Sequence, residues 1–517
     1  MTDLGDASRL FAELDAIDAN WDRYERSLHA TISALSGTGI GLRQSRILAG
    51  FWLLHHVHQV HAWFIARHHD GAPITELQQA SVDVPIDRAT HMHRIVGDAG
   101  AWGRRTAVMS GLLQSGTLPR AHSLVTSGSS KSRRSLRSFI LSRATNPNRE
   151  VWISHPYLKC SSGAAVRARL HSRGWAYWTD LNLDVADLGA AVHMQKRVAL
   201  SREVAVSDVA SLVCATIPLY LPVAYGEALP RTRAAALDGF AHRPDVLFTA
   251  NALQYHLGHQ ILAAEWSARG TRLAAQQHGG HTGLDVRHAL EDLEVRCVDR
   301  YYTYGWTDSR PNVAPLPTAM PASTASSDHR RLLVMSLEVS DVIYRLQPFC
   351  LPEHAHACLA STRTFLTELG DGAGFLPVLR SGTREHALIG VSVSRDDPSV
   401  TGTVSASASG LVVHNYFGTS WLETLAMNVP TVCVVPPNVH GFREAARPLV
   451  DALRRHGVIH DDPREAARFV RGLAGDARGW WSQPDLQADR QRFVATYVNF
   501  SDNWLEQWHS ELTRLSR

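Results

Sequence analysis

Cysteine is sparse in this chain, six in 517 residues, and none of Cys160, Cys214, Cys297, Cys350, Cys358 and Cys433 falls in a C-x-x-C pair. That spacing argues against a disulfide framework and a thiolate zinc site, and it fits a reducing, cytoplasmic compartment. Long apolar runs are missing too: the richest, ASLVCATIPLYLPVAYG at 210–226, holds two prolines and stops short of the ~20 residues that span a bilayer as a helix. The N-terminus, MTDLGDASRLFAELDAIDANWD, is acidic where a signal peptide is basic and apolar. Net charge is nearly absent: 52 Lys and Arg against 49 Asp and Glu leave +3, which excludes a dedicated nucleic-acid binder working by phosphate neutralisation. Acid is locally absent as well. From Ala99 to Arg149 there is no Asp or Glu but there are nine Lys or Arg, clustered around GSSKSRRSLRS (128–138).

The remainder is ordinary globular material, 44% hydrophobic and 20% charged, in a chain several times the ~100–150 residues of one domain. Leu10, Phe11, Leu14, Ile17 and Trp21 recur at helical steps, and Ile47, Phe51, Leu54, Val57, Val60 and Phe64 do the same along 46–69. Short apolar runs at 149–158, 244–253, 271–280 and 299–306 alternate with helical stretches, the pattern of a parallel sheet covered on both faces. Residues 307–329 carry four prolines with Ser, Thr and Ala and no apolar period, which predicts a linker. Strand–helix alternation resumes at 330. The expected fold class is therefore α/β, with two Rossmann-like domains facing a central cleft: 1–306 with a helical N-terminal region, a linker at 307–329, a second domain at 330–490, and a long helix at 491–517 that packs back on the first domain.

The sharpest chemical signal is LVVHNYFGTSWLETLAMNVPTVCVVPP (411–437). A buried strand ends at His414, a turn reaches Gly418, and a helix opens with Thr419 and Ser420. Its free N–H groups and positive dipole end favour an anion. Glu423 is placed to accept hydrogen bonds from a ribose or sugar hydroxyl. The alternative is an ordinary N-cap by Thr419 or Ser420 with Glu423 in a capping box. The second signal is QQHGGHTG (276–283), in which Gly279, Gly280 and Gly283 admit a close ligand while Gln277, His278 and His281 line the turn. His278 is the first candidate for a general base and Asp285 the second. Glu291, Asp292 and Glu294 read better as a solvated helix face, and Glu338 and Asp341 follow the first strand of the second domain. Arg380 and Arg345 are candidate phosphate contacts, or simply surface arginines. Metal binding is not expected: His58 and His61 share a helix side without a carboxylate partner, so core or interface histidines are the better reading. Trp480, Trp481, Trp504 and Trp508 read as packing anchors before sugar-stacking groups.

G-T-S-x-x-E-T-L-A-x-N-x-P-T (418–431) resembles the nucleotide-binding segment of GT-B glycosyltransferases. R-I-L-A-G-F-W-L (46–53), Q-H-G-G-H-T-G (277–283), D-R-Y-Y-T-Y-G-W (299–306) and S-D-N-W-L-E-Q-W (501–508) are similar to the transferases encoded in O-antigen and surface-carbohydrate loci. The resemblance implies a metal-independent transferase with no cofactor, a nucleotide-sugar donor held at 418–423, and a glycan or lipid-linked acceptor on the first domain. The 128–138 stretch then reads either as a solvated loop or as a peripheral contact at the inner face of the cytoplasmic membrane. A sugar-nucleotide epimerase, a polyol-phosphate transferase and a catalytically silent glycan-binding subunit are the competing readings.

Overall fold

The computed structural model describes residues 7–70, 82–85, 87, 99–115, 123–126, 151–158, 176–178, 191–238, 240, 242–321, 323, 328–338, 352–436 and 441–517. The basic stretch 128–138, Cys160, Asp341, Arg345 and Cys350 lie outside them.

Strands β1 (Val82–Pro85) and β2 (Ser123–Thr126) form a small parallel pair. The first large sheet contains β3 (Val151–Ser154), β4 (Ala176–Trp178), β5 (Val246–Thr249), β6 (Arg272–Gln276), β7 (Arg300–Thr303) and β8 (Val313–Pro315), in the order β4-β3-β5-β6-β7-β8. The second contains β9 (Asp328–Met335), β10 (Leu376–Arg380), β11 (Ser394–Arg395), β12 (Ser409–His414), β13 (Thr431–Val434) and β14 (Ile459–His460), in the order β11-β10-β9-β12-β13-β14. Every pairing in both sheets is parallel. Each sheet therefore reverses its winding once, between β3 and β5 in the first and between β9 and β12 in the second. Such switch points open a crevice at the strand carboxyl ends.

Side-chain alternation explains how the first sheet is covered. In β5, Leu247 joins the large core beneath the N-terminal helices, whereas Val246 and Phe248 face the other way into a cluster with Trp504, Leu505, Trp508, Leu512 and Leu515. The helices Ala7–Ser36 and Leu42–Asp70 bury much of the predicted stripes: Ile17, Trp21, Ile47, Phe51, Leu54, Val57 and Val60 are covered, Leu14 and Phe64 are half-buried, and Tyr24 and Leu28 continue the first stripe. The second helix also packs on Leu257–Ser267 and Ala289–Cys297.

Two boundaries differ from the sequence reading. The predicted linker is partly a strand, because β8 extends the first sheet beyond β7. Prolines at its margins restrict helix without preventing an edge strand. The predicted single C-terminal helix is two, Pro484–Tyr497 and Trp504–Ser516. Between them, Asn499 N–H donates to the Tyr304 carbonyl (2.7 Å) and Ser501 N–H to the Thr318 carbonyl (2.9 Å), so the chain bends onto the first sheet. Trp508 then donates to the Pro317 carbonyl at 2.7 Å and packs 4.6 Å from the Phe248 ring. Trp480, Trp481, Trp504 and Trp508 are all buried packing groups.

Candidate active site at two apposed glycine loops

The loop leaving β6 meets the loop leaving β12. A Cβ on Gly280 would overlap the backbone carbonyl of Gly418, so only glycine permits the two main chains to touch. Thr419 Oγ1 lies 3.4 Å from the His278 carbonyl oxygen across the same contact. Gln277 is an internal brace: its Oε1 accepts from Tyr304 N–H (2.9 Å) and Trp306 Nε1 (2.8 Å), and its Nε2 donates to the Gly279 carbonyl (2.8 Å). The turn closes at Gly283, whose φ of 78° is left-handed and whose missing side chain is replaced by the Trp306 indole.

His281 and Asp285 form the pair with the clearest acid–base geometry. His281 Nδ1 is 2.7 Å from Asp285 Oδ2, and both side chains are buried. The backbone around them is stitched to the second half. Val286 N–H donates to the Gly441 carbonyl (2.7 Å), Arg443 N–H to the Leu284 carbonyl (2.8 Å), and Arg443 Nε to the Asp285 carbonyl (2.9 Å). Arg443 also reaches the Glu291 carboxylate at 2.9 Å. Burial pushes the Glu291 pKa up, but Arg443, His288 and Arg310 outweigh it and hold the group below its ordinary range.

His278 has different surroundings. Its ring sits in a network in which Gln254 Nε2 lies 3.0 Å from His278 Nε2 and donates to Glu294 Oε1 at 2.6 Å, while the Tyr301 hydroxyl donates to Glu294 Oε2 at 3.2 Å. Burial, reinforced by His288, lowers the His278 pKa to about 4. The same burial raises Glu294 to about 8. The solvated-face reading of Glu291 and Glu294 is therefore overturned, since both are buried; only Asp292 is exposed there. The signal was present: Glu294 shares a helical face with Leu290 and Cys297, so a carboxyl stands inside an apolar stripe. Nothing in the local pattern marked Arg443.

On the other side of the contact, Gly418 occupies the N-cap position of the helix Thr419–Ala426, and no side chain among the described residues caps that helix. The capping-box alternative is therefore not formed; Trp421 N–H donates to the Gly418 carbonyl (3.2 Å), which leaves the Thr419 and Ser420 N–H groups of the first turn for another acceptor. His414 is fully buried, with Nε2 3.2 Å from Thr424 Oγ1; burial lowers its pKa to about 3. Asn415 Oδ1 accepts from Leu337 N–H (2.8 Å), tying the ends of β9 and β12 together at the switch point. Glu423 faces inward and accepts from Thr403 Oγ1 at 2.9 Å. Ser420 Oγ is 3.5 Å from the Tyr416 hydroxyl. Arg380 is bound to Asp396 (2.5 Å) and the Val400 carbonyl (2.9 Å), contacts that belong to the β10–β11 edge and not to the Gly418 loop. Glu338 is exposed just past β9.

The profile of the LIC12162 family of transferases matches residues 114–512. The chain belongs to that family. The match takes in both large sheets and both glycine loops of this LIC12162 family transferase. No curated protein sequence matches it. Similar solved structures include the GtfA/B complex, at 12% identity over 56% of this chain and 61% of that one, with a TM-score of 0.34. Another is the spinosyn rhamnosyltransferase SpnG complexed with spinosyn aglycone, at 13% identity over 71% of this chain and 100% of that one, TM-score 0.34. A third is a UDP-glucosyltransferase from Polygonum tinctorium, at 12% identity over 72% and 99%, TM-score 0.36. Among the described residues no helix is long and apolar enough to cross a membrane, and no group of His, Cys, Asp or Glu is arranged to hold a metal ion.

Proposed function

We propose that this transferase moves a glycosyl group from a nucleotide-activated sugar to a hydroxyl of a glycan or lipid-linked acceptor in surface-polysaccharide assembly. The observation that carries the reading is the apposition of two glycine loops, one from each sheet, with an uncapped helix start at the carboxyl end of β12 beside the second switch point. In this reading the donor diphosphate lies on the first turn of Thr419–Ala426. Gly418 makes room for the Tyr416 ring at the turn, Thr419 and Ser420 supply hydroxyl donors, and Glu423 accepts from the ribose or sugar.

His281 serves as proton acceptor and Asp285 orients it, an assignment favoured over His278 because a carboxylate stands on His281 Nδ1 whereas Gln254 occupies His278 Nε2. The acceptor oxygen bonds to the anomeric carbon as its proton passes to His281. The bond from that carbon to the leaving phosphate oxygen breaks, and its electron pair departs with the nucleoside diphosphate. No cofactor beyond the sugar nucleotide is called for, and the leaving charge is met by helix N–H groups and hydroxyls. The basic stretch 128–138 is the place proposed for a peripheral membrane contact.

A thermal-shift screen against UDP-, GDP-, TDP-, CDP- and CMP-linked sugars tests the donor half. One class should stabilise the wild type by ~2.7 kcal/mol at about 100 times its dissociation constant. The Glu423→Gln protein, which keeps the Thr403 hydrogen bond, should bind that donor at least tenfold more weakly. Equal binding by wild type and variant overturns the donor assignment, and product formed from donor alone identifies an epimerase instead.

A further inference from the structure

The switch point of the first sheet, between β3 and β5, carries side chains that the reading above has not used. His155 (φ 47°) and Tyr157 (φ 53°) follow β3, both left-handed without being glycine; only Asn428 and Ala474 share this among the described residues. Strained non-glycine backbone persists where surrounding contacts impose it, and it gathers at binding sites. Here the Ala250 N–H donates to the His155 carbonyl at 3.1 Å, fastening the turn across to the end of β5. The His155 ring stacks on His256 with centroids 3.8 Å apart and planes 21° apart. Tyr157, two residues after His155, and Tyr255, directly before His256, are 39% and 52% exposed, two of the five exposed large hydrophobic side chains among the described residues. Tyr157 also meets the His278 ring edge-on, 6.0 Å between centroids, which joins the platform to the loop 277–283.

The chemistry points to an uncharged ring. Exposed aromatic faces gain from covering by the C–H face of a sugar, while phenol and imidazole edges hydrogen-bond its hydroxyls. His259, three residues after His256, is buried, its Nδ1 has no hydrogen-bond partner among the described residues, and burial together with His155 and His256 keeps it neutral. A neutral His259 leaves no charge behind the stacked pair that would select a phosphate or carboxylate. We propose that Tyr157, His155, His256 and Tyr255 form the acceptor subsite, and that it takes a neutral glycan whose terminal pyranose lies on the tyrosines with one hydroxyl directed at the loop 277–283. The proposal rests on the glycosyl-transfer reading for its role and on the platform itself for its ligand.

Saturation-transfer NMR on the full chain, without donor, against methyl glycosides of glucose, galactose, mannose, rhamnose and N-acetylglucosamine tests it. Ring protons of at least one glycoside should receive saturation. Tyr157→Ala and Tyr255→Ala should each weaken that binding by about two- to tenfold, the loss of one aromatic contact, while Tyr157→Phe retains it. Leu376→Ala, on an exposed position of β10 outside both sites, should leave it unchanged. The proposal is overturned by saturation that neither alanine variant alters, by none in the wild type, or by binding only of glucose 1-phosphate. If glycosides bind as expected but no donor yields a glycoside product, the transfer reading fails and the subsite stands. If transfer proceeds with an acceptor KM untouched by Tyr157→Ala, the subsite fails and transfer stands.

Discussion

At the residue scale, His281 and Asp285 stand four positions apart on a tight turn, so one carboxylate oxygen reaches Nδ1 without help from another element. The carboxylate selects the tautomer that carries hydrogen on Nδ1 and leaves Nε2 basic. Asp285→Asn keeps the shape and loses that selection, so turnover should fall by ~10²–10⁴ with donor affinity preserved. Steady-state kinetics and donor thermal shift on the same protein check the split. His278→Gln serves as the contrast. It should cost less turnover than Asp285→Asn, and a larger loss would return the base role to His278.

At the element scale, the two loops depend on glycine for their approach. Gly280 has no room for a methyl group because the obstacle is the Gly418 main chain, which cannot rotate aside. Gly280→Ala should cost roughly 1–3 kcal/mol of local packing and abolish transfer well before it abolishes folding. A melting temperature lowered by a few degrees with activity lost is the expected pair of readings. The helix Trp504–Ser516 has a different task. It covers Val246, Phe248 and Tyr302 on the outer face of the first sheet. Removing residues 498–517 would leave that face bare, and the truncated chain should aggregate, as light scattering would show. The elements that place the site were largely readable, since alternating apolar strands and a strand–glycine–helix signature depend on neighbours in sequence. The break at 498–503 was not readable, because it is imposed by hydrogen bonds to Tyr304 and Thr318, about 180 to 200 residues away.

At the scale of the whole molecule, buried titratable groups set how stability depends on pH. Burial lowers His58, His278 and His414 to about 3, about 4 and about 3. Unfolding raises each back toward 6.5, so below that pH the unfolded chain binds more protons and stability falls as the solution is acidified. Glu294 acts in the opposite sense. Its folded pKa is raised to about 8 from 4.5, so the native state keeps a proton that the unfolded chain releases, and stability falls as pH rises through that window. These groups together predict greatest stability near pH 6.5, with the steeper decline on the acid side. Melting temperature against pH tests the curve, and Glu294→Gln should flatten its alkaline limb. Arg443 is the corresponding electrostatic tie between the halves, bonded to Glu291 and to the Asp285 carbonyl. Removing it leaves Glu291 buried with one fewer cation, so Arg443→Ala should cost about 3–5 kcal/mol and loosen the loop contact.

Local order was already contained in the chain of residues: two runs of α/β alternation, a helical N-terminal layer, and glycine turns at 277–283 and 418–423. Such features follow from side-chain period and backbone freedom over a few neighbours. Their meeting does not. That Gly280 lies on Gly418, that Arg443 holds Glu291, and that Glu294 stands behind His278 depend on how two sheets wound in opposite directions from their switch points come to face one another. Long-range packing and the removal of water chose those partners, and burial then shifted the pKa values of His278, Glu294 and His414.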